Sequence, residues 1–193
     1  AADILVLATG GRSLPKTGSD GLGYEFARTL GHGFVETTPA LAPLMLEGDR
    51  HIALAGVSHD AVLSMRVNGA LKVRIEASML WTHFGISGPA ALDLSRHWLR
   101  ADLQEAHPEV TANLQPDHTF DTLDSQWQAL TRRQPRASLQ TGLATMLPAS
   151  LAALVLDRQG LQASAILADL TREDRRALVH AAQVDAAAVV VER

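Results

Sequence analysis

Apolar positions along this chain change period twice, and each change predicts a different kind of element. Asp3 to Ala8, DILVLA, is a continuous apolar run rich in β-formers. Such a run suits a strand buried on both faces, as in a parallel sheet. Gly10 and Gly11 end it, and Pro15 with the TGSDG run keeps residues 12–20 in a loop. A helical period follows: Leu22, Phe26 and Leu30 share one face, and Gly31 is placed to end the helix. Strand, glycine turn and helix is the arrangement by which a chain brings bare backbone up to a nucleotide or flavin.

From Val35 the texture changes. Pro39 and Pro43 exclude a helix across TTPALAPLM, and strict alternation then takes over. Leu63, Met65 and Val67 fall on one face. Asn68-Gly69 is a two-residue hairpin signal, because both positions tolerate positive φ. On the return, Leu71, Val73 and Ile75 point inward while Lys72, Arg74 and Glu76 point outward. A further strand is expected over Ser78–Thr82. Residues 52–82 thus read as an antiparallel meander, which needs a partner sheet or closure into a barrel. Ser87 and Pro89 predict the start of a helix with Leu92 and Leu99 facing inward, and 109–114 reads as another strand. Beyond Asp121 the period is helical throughout. Leu123, Trp127 and Leu130 mark one helix, 138–146 a second, Pro148 to Gly160 a third. A fourth starts after Thr171, where Asp174 completes a capping-box pattern. Short connections imply a small antiparallel bundle. The run AAAVVVER closes the sequence with a β-like stretch that has no partner after it.

Composition narrows the functional classes. The chain of 193 residues is 47% hydrophobic and 20% charged, an ordinary globular balance. A net charge of −4 with no basic tail argues against nucleic acid as a partner, since phosphate neutralisation needs clustered Lys and Arg. Cysteine is absent, so thiol nucleophiles and Cys-ligated zinc are excluded. No apolar run reaches the ~20 residues of a membrane helix, and the expected location is the cytoplasm. His51 and His59 lack a third placed ligand, so no metal is expected. A Gly-x-Ser-x-Gly elbow is missing, which removes support for hydrolase chemistry. Trp81, Trp98 and Trp127 read as core.

The chemistry concentrates in two stretches. Thr9-Gly10-Gly11 can present backbone N–H groups to a ligand that a Cβ would hold off, or can simply be a tight turn after a strand. Gly18-x-x-Gly21-x-Gly23 reverses the order of a dinucleotide fingerprint. Arg12 and Lys16 read equally as phosphate partners or as solvated loop charge. In HFGISGP, residues 83–89, His83 can give or take a proton near neutral pH. It can also be a histidine hydrogen-bonded at a strand end, with Ser87 a helix cap.

Four blocks in order carry a resemblance to a known family: ATGGRSLPKTGSDGLGYEFARTLGH, PALAPL, LWTHFGISGPAALDLS and LPASLAALVLDRQGL. Together they resemble the HI0933-like flavoproteins, the YhiN/BaiN group of NAD(P)/FAD-dependent oxidoreductases. The resemblance implies an α+β chain: a piece of an FAD-binding α/β domain (1–35), an antiparallel β-barrel-like insert (36–118), a small helical domain (119–180) and the start of a return to the FAD domain (181–193). It implies flavin-mediated hydride transfer, with NAD(P)H as reductant and a small-molecule substrate. Thr9, Gly10, Gly11, Lys16, Thr17 and Gly18 would lie against FAD, and His83 and Ser87 would face the substrate.

The family's glycine-rich N-terminal strand-loop and its closing C-terminal segment are missing from the sequence. The chain therefore reads as a middle fragment, expected to be inactive without the other FAD-domain pieces and liable to associate through apolar residues 3–8 and 188–191. The competing expectation is a non-catalytic barrel and helix module that binds a partner or small ligand.

Overall fold

The computed structural model describes residues 3–183, and the backbone of 185–189. It forms two compact units, divided after Pro39.

In the first unit, residues 3–10 form no strand and lie exposed; Ile4 is 82% and Val6 80% accessible. The expectation of a doubly buried strand fails for a physical reason. An isolated extended segment gains nothing until a neighbour supplies ladder hydrogen bonds and an apolar cover, and among the described residues of this unit none does. The predicted helix is present as α1 (Leu22–Thr29). It closes as the sequence implies, in a left-handed Gly31 turn: Gly31 N–H bonds Arg28 O (2.9 Å) and His32 N–H bonds Ala27 O (3.1 Å). Its apolar face, Leu22, Phe26 and Leu30, stays exposed.

The second unit is built on a six-stranded antiparallel sheet. Its strands are β1 (Leu44–Met45), β2 (Ser58–Val67), β3 (Ala70–Thr82), β4 (Gly85–Ser87), β5 (Glu109–Asn113) and β6 (Asp185–Val189), in the order β1-β4-β3-β2-β5-β6. The hairpin forms where predicted. Asn68 (φ 52°) and Gly69 (φ 75°) make a turn with two positive φ angles, the type I′ geometry that matches strand twist. The separate strand expected at 78–82 is the continuation of β3. Residues 50–54 form a 3-10 turn, so the meander begins at Ser58, not at Ile52. Val73 and Ile75 are half-buried, whereas Leu71, near the hairpin tip, is half exposed.

Helix α2 (Gly88–Leu103) packs against β2 and β3. Its buried face is Ala90, Ala91, Leu94, Ser95, Trp98 and Ala101; Leu92 and Leu99, expected inward, are only partly buried. Small alanines let the helix backbone approach the sheet, and this sets the rotation that leucine spacing alone misassigns. Ser95 is wholly buried yet satisfied twice. Its Oγ donates to Leu92 O (2.8 Å) and accepts from Ala42 N–H (3.0 Å), tying the segment before β1 to α2.

Helices α3 (Phe120–Arg133), α4 (Leu139–Leu143), α5 (Ala149–Arg158) and α6 (Arg172–Gln183) complete the unit. Trp127, Leu143, Leu151, Leu156 and Leu178 join Leu63, Met79, Trp81 and Leu94 in one continuous core. The backbone of Asp185–Val189 pairs with β5, so this part of the AAAVVVER run has the sheet neighbour that the sequence reading denied it. Residues 190–193, its remainder, lie outside the described residues.

Candidate functional site

The two stretches singled out by sequence fall in different units. Thr9, Gly10, Gly11, Lys16, Thr17 and Gly18 belong to the first unit, His83 and Ser87 to the second.

In the first unit the glycine loop folds on itself. Thr9 Oγ1 lies where a Cβ on Gly23 would stand, 1.8 Å from that position, so the loop can cross the start of α1 only because residue 23 is glycine. Pro15–Thr17 make a short 3-10 turn, and Thr17 Oγ1 donates to Leu14 O (2.7 Å). Gly18 ends the turn with φ 91° and no neighbour within 4 Å of its Cβ position. Lys16 is exposed. Arg12 and Arg28 share Glu25, at 3.8 and 2.5 Å, and each lies over a ring, Tyr24 and Phe34 respectively. This accounts for Arg12 structurally. Gly18 leaves exposed backbone with open space around it, whereas the Ser19 and Tyr24 hydroxyls lie where Cβ atoms on Gly10 and Gly11 would stand.

In the second unit His83 occupies a turn held at three successive carbonyls. His51 Nε2–H donates to His83 O (3.2 Å), Leu46 N–H donates to Phe84 O (3.1 Å), and Thr82 Oγ1–H donates to Gly85 O (3.0 Å). Gly85 adopts φ 150°, and a Cβ there would stand 2.2 Å from Leu44 O; only glycine lets β1 pass so close. The His83 ring projects into solvent, edge-on to Phe84 at 4.9 Å. An exposed imidazole on a backbone held at three successive carbonyls is an arrangement suited to proton transfer, where small displacements are costly. Ser87 lies at the end of β4 and at the N-cap position of α2. Its side chain makes no capping bond, so the predicted cap is positional only.

The sequence brings up His51 only as a metal ligand lacking partners, and not as the donor that holds the His83 turn. His51 is 5% exposed, in a 3-10 turn whose sequence, RHIAL, gives no sign of its role. His59 is held differently. Trp81 Nε1–H donates to its Nε2 (3.0 Å), so its proton sits on Nδ1 and is given to Asp60 O (2.9 Å). Burial pushes the His59 pKa down, against the opposing pull of the neighbouring Asp60 carbonyl and carboxylate. It is thus a neutral structural group. Among the described residues no three His, Asp or Glu side chains converge as a metal site, and no helix is long and apolar enough to cross a membrane.

With this geometry in hand, comparison with known proteins is informative. Residues 38–191 match the family described as HI0933-like protein barrel and H2TH domain. The chain is 33% identical over 179 residues to a ribosomal RNA dihydrouridine synthase of Escherichia coli (strain K12), covering 91% of this chain and 41% of that protein. It is 29% identical over 170 residues to the protein of the same description from Haemophilus influenzae, covering 87% and 39%. It is 28% identical over 167 residues to a 3-dehydro-bile acid delta(4,6)-reductase of Clostridium scindens, covering 84% and 41%. The chain therefore spans about two fifths of the length of these relatives.

Proposed function

The chain belongs to the HI0933-like family, and from that premise we propose that it is the barrel and helical part of an FAD-dependent reductase. The reaction proposed is hydride transfer from NAD(P)H to a carbon–carbon double bond conjugated with a carbonyl. The observation that carries this reading is the chemistry shared by the relatives' names. Dihydrouridine is uridine with the ring double bond beside a carbonyl saturated. A delta(4,6)-reductase acting on a 3-dehydro bile acid saturates double bonds conjugated with a ketone. Reduction of such a conjugated bond adds hydride at the β carbon, or at the δ carbon for the remote bond of a dienone, and a proton at a carbon nearer the carbonyl, while the nicotinamide is oxidised.

FAD, when bound, supplies the hydride relay between nicotinamide and substrate. The first unit's residues fit such a group: Gly18 gives exposed backbone with open space around it, and exposed Lys16 adds a cation for a phosphate or an electron-rich ring edge. Thr17 contributes through its backbone, since its hydroxyl proton already serves Leu14 O. In the second unit the proposed proton donor to the substrate carbon is His83, on a turn held by His51, Leu46 and Thr82. Ser87, with its hydroxyl uncommitted to the helix cap, is a donor for the substrate carbonyl.

The substrate class we favour is a uracil base in ribosomal RNA, because two relatives with that named activity match, one at the highest of the three identities. A small-molecule enone is the second reading, carried by the bile acid reductase. The test uses the full-length polypeptide. It is expected to take up FAD, to be bleached by NADH or NADPH, and to add two hydrogens per modified uridine in ribosomal RNA from a strain lacking the enzyme, read by nucleoside mass spectrometry. His83→Ala is expected to lower kcat by about 10²–10⁴ while bleaching by nicotinamide proceeds at the normal rate. A colourless full-length protein sinks the reductase reading in favour of a non-catalytic module; full activity in His83→Ala removes His83 as proton donor.

A further inference from the structure

The chain as a whole is acidic, yet between Asp124 and Asp157 it carries three arginines and not one carboxylate. Arg132 and Arg133 lie in the last turn of α3 and Arg136 in the loop beyond it, and all three are exposed. Several arginines elsewhere in this unit are matched to acids: Arg74 with Glu76, Arg96 with Asp93, Arg175 with Asp124. Among the described residues Arg132, Arg133 and Arg136 have no such partner. A helix C-terminus explains one or two cations through its dipole, but not the third, which lies outside the helix.

Tertiary structure gathers them. Pro135 O accepts from Ala168 N–H (3.0 Å) and Ala137 O accepts from Leu167 N–H (2.9 Å), so the residues on either side of Arg136 are pinned to the segment facing α3. That segment, α3 and α6 enclose an open recess of about 220 Å³ lined by Gln128, Thr131, Arg132, Leu167, Leu170 and Arg175. Arg132 lies in its wall, and Arg136 is held beside Leu167 and Ala168 at its edge. The result is three exposed arginines, none in a described ion pair, on a pinned backbone beside neutral hydrogen-bonding side chains. It matches a chain of phosphodiesters, which needs several cations at successive positions.

We propose that Arg132 and Arg136, at this recess, together with Arg133 in the same last turn of α3, dock the phosphodiester backbone of the RNA substrate. The inference rests on the ribosomal RNA reading above. It also explains how an acidic chain serves an RNA substrate: net charge averages over the surface, whereas phosphates respond to charge within about a Debye length.

The test measures binding of full-length, FAD-loaded enzyme to protein-free ribosomal RNA from cells lacking the enzyme, across a salt series. With Arg132→Gln, Arg133→Gln and Arg136→Gln combined, affinity at 0.1 M salt is expected to fall about tenfold or more, and the log–log salt slope to flatten by roughly 2, as the loss of three phosphate contacts requires. Flavin content, melting temperature and bleaching by NAD(P)H are expected to stay unchanged, and the triple Arg→Lys variant to retain most binding. Unchanged affinity and slope in the glutamine variant overturn the proposal. So does a wild type that binds only ribosomal particles and not protein-free RNA, which makes the partner a protein. The two readings fail separately. A wild type that reduces no uridine in RNA ends the RNA reading, whereas an active wild type whose arginine variant is equally active and equally tight ends only the docking site.

Discussion

Two histidines that look alike in sequence have opposite meanings in the folded chain. His83 is exposed, on a turn held by hydrogen bonds at the carbonyls of His83, Phe84 and Gly85; His51 is buried, and supplies the first of those bonds. His51 is therefore the residue on which the position of His83 depends, although it does not itself reach solvent to any extent. His51→Leu is expected to leave His83 O without its donor, lowering stability by about 1–3 kcal/mol. In the full-length enzyme kcat is expected to fall while KM changes little, because what is lost is placement of the proton donor, not substrate contact. His51→Gln, whose amide can donate to the same carbonyl, is expected to restore much of kcat. Equal kcat in all three proteins, measured by steady-state kinetics, would show that the His51 bond is structural only. None of this is legible in the sequence, where His51 and His83 are 32 positions apart. HFGISGP was legible as a unit because a turn requires its glycines wherever it is placed, and Gly85 bears this out in its approach to Leu44 O.

Among elements, the contact of α3 with α6 shows what helical periodicity can and cannot foresee. The apolar stripe Leu123, Trp127, Leu130 was predicted and is buried. The ion pair that registers the two helices was not, because its partners are 51 residues apart. Arg175 Nε–H donates to Asp124 Oδ1 at 2.7 Å, and Gln128 Nε2–H donates to Oδ2 at 2.7 Å. Both charged side chains are mostly buried, at 19% and 14% exposure, so solvent screens the pair less than an ordinary surface bridge. The Arg175 hydrogen bond, aided by Gln128, holds the Asp124 carboxyl below its usual pKa despite the opposing effect of burial. The sign follows from linkage: a carboxyl with a lowered folded pKa contributes stability that is full above the unfolded value near 4 and is lost as pH falls through the folded one. Wild type is thus expected to lose melting temperature more steeply than Asp124→Asn below about pH 4. At pH 7 the variant is expected to be less stable by about 1–3 kcal/mol, since Arg175 loses its charged partner. Parallel melting curves from pH 7 down to 3 would check both halves; identical acid slopes would show that the pair carries no pH-dependent stability.

At the scale of the second unit, sheet and helices share a single core, and this predicts its unfolding. Leu156, fully buried in α5, belongs to the same cluster as Trp81 in β3 and Trp127 in α3. Leu156→Ala is expected to cost about 2–5 kcal/mol and to lower one shared transition, seen alike by tryptophan fluorescence and by far-ultraviolet circular dichroism. Two separated transitions would show that barrel and helices fold apart. The sequence by itself determined the local elements: the Asn68-Gly69 hairpin, the alternating strands, the Gly31 terminus, the three core tryptophans and the family to which the motifs point. These are properties of φ preference and side-chain period, which act between residues a few positions apart. Only the tertiary structure decided which strand lies beside which, that α2 buries its alanines more fully than Leu92 and Leu99, that His51 holds the His83 turn, and that the segment 167–168 packs beside the arginines after Asp124. Those outcomes are set by packing and charge between distant segments, and a one-dimensional pattern carries neither. The apolar run 3–8 marks the boundary between the two: its sequence favours a strand, but a strand exists only when a neighbour completes its hydrogen bonds.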